Sequence, residues 1–570
     1  MQPLPKHHEV IDITKSFICS WKFVSLAFAV LLFTRLAFVW QTPPLALDTF
    51  GSPEENLLVL VGAKNMLQNG WLSTVMLPDY VTSENKEHHP VVYTHFPPMP
   101  TIAAAIMLDM GMEYKEIRLV YVILNVVGWL IGGLLFQKVM NLPTKNYLGI
   151  YFFIISFTIP ALVWCDHFEY GVMPLLAFAP TLLLYTEINQ GIKNIAIWVL
   201  LFVGSIWNYK ILFMGGLIFF ISYFFASHTN KRLKNLIIYL SAPAAGISLH
   251  ILQNIIFLGP AIAFQELYLT LQNRITGVPS NTSLKIWFEQ NNLVCWGASE
   301  KLTIQDYIKN IDLFLNENTN IFKKIFPIHL WLVLVFLLFS YSDLKGNKLK
   351  VFGGAVTAGS ILWSLLFPAH SKGYFLPLTD TLPAIFAGYL AWVIFLEFLF
   401  ATKQKSITNK YRFLIINVIF LAGLISIGHF AHRFKKLTIE YANIINKEGK
   451  LNYYAEAQVL KKYGEKVLWT NMTPVWVSYF SNSVVPGRCD LKGLKNRTIE
   501  SCSNFFINSK ASIVRFEKPD YFVFSKTKLS GNVPAHSEQN LVEMESFLQQ
   551  NLELVYEGKA FKIFAFHKLD

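Results

Sequence analysis

The chain is poor in cysteine and in charge for its length, and it has no nucleotide-binding loop. Its 570 residues include 5 cysteines, Cys19, Cys165, Cys295, Cys489 and Cys502. No two are spaced as Cys-x-x-Cys, so the common zinc and dithiol motifs are excluded. Cys489 and Cys502 share the C-terminal region and could pair if it faces an oxidising compartment. No Gly-x-x-x-x-Gly-Lys-Ser/Thr segment occurs, which leaves out a P-loop phosphate cradle. The first apolar run lacks a small-residue cleavage site and reads as a retained helix, not a cleaved signal. Charged residues make up 15% of the chain, with a formal net charge of +12. Much of the basic excess sits in short loops between apolar runs, which is the signature of membrane topology rather than of nucleic-acid binding.

What the chain has in quantity is apolar length. It is 53% hydrophobic and 15% aromatic. Apolar runs near 23–40, 117–136, 148–163, 171–186, 195–207, 211–226, 236–258, 327–341, 351–368, 381–400 and 413–429 predict about eleven transmembrane helices. The apolar segment Met99–Met112 is too brief to cross and is expected to lie along the membrane surface. Lys6, Lys15 and Lys22 place the N-terminus, residues 1–22, on the cytoplasmic side. Alternate short loops carry Lys138 and Lys145, then Lys231, Arg232 and Lys234, then Lys403 and Lys405, whereas the opposite loops hold little beyond Lys210 and Lys372. This asymmetry puts the loops 41–116 and 259–326, the 164–170 turn and the tail on the outer face.

From about residue 440 the composition becomes that of a soluble domain. KVLWT, SIVRF, YFVFS and FKIFAFHKL read as strands, and LNYYAEAQVLKKY and FLQQNL as helices. The expected architecture is therefore an all-α polytopic membrane domain over 23–429 followed by a small α/β soluble domain over 430–570.

Chemistry-bearing residues concentrate in the outer segments. Asp48, Glu54 and Glu55 lie just past the first span. A general base must come within hydrogen-bond reach of the proton it removes, which an acid at a membrane surface can do. Asp48 is equally readable as a solvated loop acid, and Glu54 and Glu55, following Pro53, as caps of a helix N-terminus. Asp166 and Glu169 occupy a short turn and could hold a divalent metal, bind an acceptor, or simply be turn residues. Tyr93 and His95 precede a Pro-Pro turn, and Arg118 opens the second span. Arg274 lies in the large outer loop, and His370, Lys372 and Tyr374 in a later one. Such cations can neutralise a phosphate or merely snorkel to headgroups. Arg35, inside the first span, reads as a snorkelling exception.

The segments AKNMLQNGWL, YTHFPPMPTIAAAI and GMEYKEIRL, in that order after an acidic first outer loop, resemble the GT-C superfamily of polytopic glycosyltransferases. The likeness is to the family related to protein O-mannosyltransferases and the lipid A aminoarabinose transferase. The resemblance implies a sugar donor on a polyprenyl phosphate and an acceptor hydroxyl on a glycan, lipid or protein. It also implies an inverting transfer in which a first-loop carboxylate is the base. Asp48 is the first candidate, with Glu54 and Glu55 as competitors, and His95 stands at a basic position of the Pro-Pro turn. It further implies a bacterial inner membrane, no nucleic-acid partner and no cofactor beyond a possible divalent metal. The rival readings are a lipid or small-molecule transporter, whose ionisable groups would sit near mid-membrane, and a catalytically inactive relative acting as an assembly subunit.

Overall fold

The computed structural model describes residues 16–41, 53–79, 92–140, 147–157, 161–162, 164–226 and 232–275 of the membrane part. In the C-terminal part it describes 456–464, 466–472, 474–483, 488–489, 491–496, 502–503, 519–525, 538–559 and 561–566, with isolated residues at 287, 291, 293, 305, 428, 431, 432, 435 and 485. The spans read from residue 327 onward, the strand SIVRF and most of the large loop lie outside these stretches.

Ten α-helices build the described N-terminal part: α1 (Trp21–Gln41), α2 (Pro53–Asn69), α3 (Met99–Asp109), α4 (Tyr114–Met140), α5 (Leu148–Ser156), α6 (Met173–Leu184), α7 (Gln190–Trp207), α8 (Tyr209–Ala226), α9 (Arg232–Leu258) and α10 (Pro260–Ile275). Among the described residues four helices are long and apolar enough to cross a membrane, covering Trp21–Trp40, Tyr114–Val139, Gln190–Trp207 and Leu233–Leu258. The chain is thus built as an integral membrane protein. Three other runs expected as spans form shorter helices. α5 has 9 residues and α6 has 12, too few for a straight crossing. The apolar helix of Tyr209–Phe225 also falls just below spanning length.

Close approach of α4 to its neighbours rests on glycine. A Cβ at Gly128 would meet the main-chain nitrogen of Leu175 at 2.3 Å, and one at Gly132 would meet Phe178 and the Tyr151 hydroxyl at 2.7 Å. These glycines, four apart on one helix face, let backbones approach within a membrane-type packing. α6 is wedged between α4, α7 and α8, and α9 lies along α7.

Arg35 does not snorkel. Its side chain is fully buried, and its guanidinium donates to the carbonyls of Ile155 at 2.6 Å and Ser156 at 3.0 Å. Those carbonyls belong to the last turn of α5, where the helix cannot supply its full set of donors. A cation there satisfies them and meets the negative end of the helix dipole. The charge is tied to a structural task.

The C-terminal part holds a six-stranded sheet in the order β3-β2-β1-β4-β6-β5. The strands are β1 (Leu468–Thr470), β2 (Arg488–Cys489), β3 (Cys502–Ser503), β4 (Tyr521–Phe524), β5 (Glu553–Glu557) and β6 (Lys562–Ala565). β1 runs parallel to β2 and β4, and the remaining pairs are antiparallel. Residues alternate between faces. Trp469, Phe522, Phe524 and Phe564 pack under helix α13 (Glu538–Asn551), the last after α11 (Pro474–Ser481) and α12 (Leu491–Asn496). Leu468, Val523 and Ile563 face the other way, into a core continuous with Trp476 and Val477 of α11 and with the apolar residues of α2. The register sets Cys489 opposite Cys502.

Candidate functional site

α2 organises one end of the helical part. Its first turn carries Glu54 and Glu55 in the backbone positions that the capping reading assigns, while their side chains, and Asp48 altogether, lie outside the described residues. Directly after them, Asn56 is buried and uses both ends of its amide. Its Nδ2 donates to the Asp166 carbonyl at 3.2 Å, and its Oδ1 accepts from the Phe168 N–H at 2.9 Å. The Asp166–Glu169 turn is thereby fixed against α2. Asn65, further along α2, donates to the Asp79 carbonyl at 2.7 Å.

Arg118 enters the same cluster from the first turn of α4. Its Nε donates to Asp166 Oδ2 at 2.6 Å, both side chains being buried. The guanidinium also lies over the Tyr114 ring. A buried pair of this kind persists only when its remaining polar groups are satisfied, as Asn56 does for the turn. Asp166 is therefore engaged by arginine. Glu169 turns the other way, with Oε2 3.4 Å from Asn208 Nδ2. Asn208 ends α7, and its Oδ1 accepts from the Lys210 N–H. The Lys210 ammonium lies 5.0 Å from the centre of the Tyr170 ring, a cation–π geometry. Trp207 donates to the Phe168 carbonyl, closing α7 onto the turn.

A second cluster adjoins the first through aromatic rings. Tyr209 lies 6.2 Å from Phe96 and 6.1 Å from His250, centroid to centroid. The Tyr93–Phe96 segment is clamped by α9 and α10. The Thr94 carbonyl accepts from His250 at 2.9 Å and from Asn254 at 3.3 Å. His95 Nδ1 is 2.7 Å from Glu266 Oε1, and the same oxygen accepts from the hydroxyls of Thr94 and Thr270, each at 2.9 Å. Thr270 Oγ1 is also 3.2 Å from His95 Nδ1. Tyr93 stacks edge-on to His95 at 5.2 Å. Burial alone would push the Glu266 carboxyl up. The hydrogen bonds from His95, Thr94 and Thr270 and the imidazole charge outweigh it and hold the group below the ordinary carboxylate range.

Of the residues singled out in the sequence, Tyr93, His95, Arg118, Asp166 and Glu169 are thus gathered at one end of the helices, in two adjoining clusters. Arg274 falls in α10 with its side chain outside the described residues, and His370, Lys372 and Tyr374 lie outside them entirely. Glu266 escaped the sequence reading. Its signal was a single acid in PAIAFQELYLTLQNRI, set between Ala263 and Thr270 at helical spacing. The tail-binding role of Lys64 also escaped it. Lys64 Nζ donates to the Tyr479 carbonyl at 2.6 Å and lies 4.0 Å from the centre of that tyrosine ring. Among the described residues, no three His, Cys, Asp or Glu side chains converge as a metal-ligand set. Asp166 on Arg118 and Glu169 on Asn208 leave those two acids turned to different partners.

No protein-family model matches the chain, and no curated protein does. Among solved structures, it is similar to the crystal structure of ArnT from Cupriavidus metallidurans in the apo state. Sequence identity is 12%, 95% of this chain and 97% of that chain are covered, and the TM-score is 0.47. An overlay this loose assigns no residue roles.

Proposed function

We propose that the protein is an integral-membrane glycosyltransferase. It moves a sugar from a polyprenyl-phosphate donor to an acceptor hydroxyl on the outer face of a bacterial inner membrane. The carrying observation is convergence. A histidine, an arginine, a lysine and three acids from distant parts of the chain meet at one end of a set of apolar helices, His95 paired with Glu266 and Arg118 with Asp166, while Glu169 contacts Asn208 and Lys210 lies over the Tyr170 ring. Charge gathered at a helix-bundle mouth is costly beside lipid and suits a substrate with a phosphate head and a hydrocarbon tail.

In this reading the donor's isoprenoid stays in the bilayer, and its phosphate departs with charge that nearby cations compensate. A first-loop carboxylate, Asp48 first and Glu54 or Glu55 as competitors, takes the proton of the acceptor hydroxyl. The hydroxyl attacks the anomeric carbon with inversion, and the phosphate keeps the electron pair of the broken C–O bond. Tyr93, His95, Arg118, Asp166 and Glu169 shape the donor end. Arg274, near the end of α10, and His370, Lys372 and Tyr374, by their place in the sequence, complete the substrate-binding set. The domain division and the outer location of the tail belong to the same reading.

The test uses lipid and glycan extracts of a deletion strain, compared with the parent by mass spectrometry. A sugar missing from one acceptor, and restored by the wild-type gene but not by Asp48→Asn, Glu54→Gln or Glu55→Gln in turn, supports the assignment and picks out the base. Identical extracts from both strains, including a radiolabelled sugar-lipid pool, would remove it.

A further inference from the structure

We propose that Cys489 and Cys502 are joined by a disulfide that clips the β2–β3 edge of the C-terminal sheet. The capacity to form the bond stands on the sheet register alone. Its formation in the cell rests on the outer placement of the tail proposed with the transferase.

β2 and β3 have two residues each and run antiparallel, with Arg488 opposite Ser503 and Cys489 opposite Cys502. Residues directly opposed in such a pair have Cα atoms about 5.5 Å apart when they exchange hydrogen bonds and about 4.5 Å apart when they do not. Both spacings fall inside the roughly 4.4–6.8 Å that a disulfide spans. Opposed residues also share one face of the sheet. A slip of one residue would put the two cysteines on opposite faces, so the register is what decides the pairing.

The surroundings hold that register. β2 is fixed on its inner side by β1, where Thr470 stands opposite Arg488. The connection from Cys489 to Cys502 is anchored at its middle, because Leu494 of α12 is 2% exposed in a core with Trp469, Phe522 and Met544. β3 is an end strand with β2 as its neighbour. A ladder this short is marginal in water, and a covalent link across it removes freedom from the unfolded chain that the ladder alone cannot offset. Cys489 and Cys502 are the only cysteines after residue 295. Cys165 lies apart from them, buried in the helical part with Phe38 and Val122.

The bond needs an oxidant, and the class that fits is a protein disulfide in the compartment the tail faces. The thiolate of one cysteine attacks that disulfide, whose S–S bond breaks and leaves its electron pair on the oxidant's second sulfur. The other cysteine, as thiolate, then attacks the mixed disulfide at this chain's sulfur. The oxidant departs as a dithiol, having taken up two electrons and the two thiol protons.

The test blocks thiols with N-ethylmaleimide at cell lysis, digests the full-length protein with trypsin and maps it by mass spectrometry. Cys489–Lys492 linked to Thr498–Lys510 should appear, separate on treatment with dithiothreitol, and be absent from Cys489→Ser and Cys502→Ser. Purified protein that is reduced and then given oxidised glutathione should regain the same linked peptides as its main product. Dithiothreitol and Cys489→Ser should each lower the unfolding temperature of the tail by about 10 °C, and the two together by no more than either. If both cysteines stay open to N-ethylmaleimide after oxidised glutathione, or either links to Cys295 or to a second chain instead, the inference is overturned. If the linked peptides form in the purified protein but are missing from cells, the register stands and the outer placement of the tail fails.

Discussion

Lys64 Nζ, on α2, donates at 2.6 Å to the main-chain oxygen of Tyr479, a residue 415 positions further along. Asn482 Oδ1 stands at 3.4 Å from the same ammonium. The lysine thus joins the α/β tail to α2, the helix that also holds the Asp166 turn through Asn56.

Burial of Lys64, and secondarily the nearby Lys461, lower its pKa from 10.5 to about 8. Below pH 8 the folded and unfolded chains both hold the proton, and the full desolvation penalty is present. Between about 8 and 10.5 the unfolded chain keeps the proton while the folded one releases it, so stability rises with pH. The increment is at most about 3 kcal/mol and is reduced by the residual exposure of the side chain. Thermal unfolding in detergent at pH 7.5 and 10, for wild type and Lys64→Met, should show the difference (wild type minus variant) becoming more positive at the higher pH. A constant difference contradicts it.

Arg118 and Asp166 should prove strongly coupled. Arg118→Leu leaves a buried carboxylate without its partner and should cost about 3–5 kcal/mol. Adding Asp166→Asn should recover a part of that loss, because the uncompensated charge goes with it. Chemical denaturation of the two single variants and the double closes the cycle; additive losses would mean the pair does not act as a unit.

Arg35→Met should destabilise the protein by about 3 kcal/mol, since two buried carbonyls at the end of α5 lose a charged donor. Arg35→Lys should not restore it, because one ammonium cannot reproduce the planar fork that reaches Ile155 and Ser156 together. Melting temperatures of the three proteins check this, and a lysine variant at wild-type stability would contradict it.

Two glycines should answer oppositely to alanine. Gly128→Ala drives a methyl against the Leu175 backbone and should cost about 1–3 kcal/mol as α4 and α6 are pushed apart. Gly216→Ala meets nothing closer than 3.9 Å and should be neutral or stabilising by about 0.5–1 kcal/mol, the ordinary helical preference for alanine. Matched thermal melts compare them.

The amino-acid order carried the membrane character, four of the long apolar helices up to residue 258, and the strands around Trp469, Phe522 and Phe564. Each of these is written in local periodicity and run length, which need no partner to be read. It also marked His95, Arg118, Asp166 and Glu169 as residues of interest, because charge beside long apolar runs stands out. What those charges touch depends on how the helices pack. Glu266 looked like one acid on an ordinary helix until α10 packed beside the Thr94–His95 segment. Arg35 looked like a surface-seeking cation until α5 ended against it. Lys64 belonged to a motif near the N-terminus until α11 arrived from far along the chain. Pairings of this kind depend on where whole helices come to rest, and no local pattern carries that information.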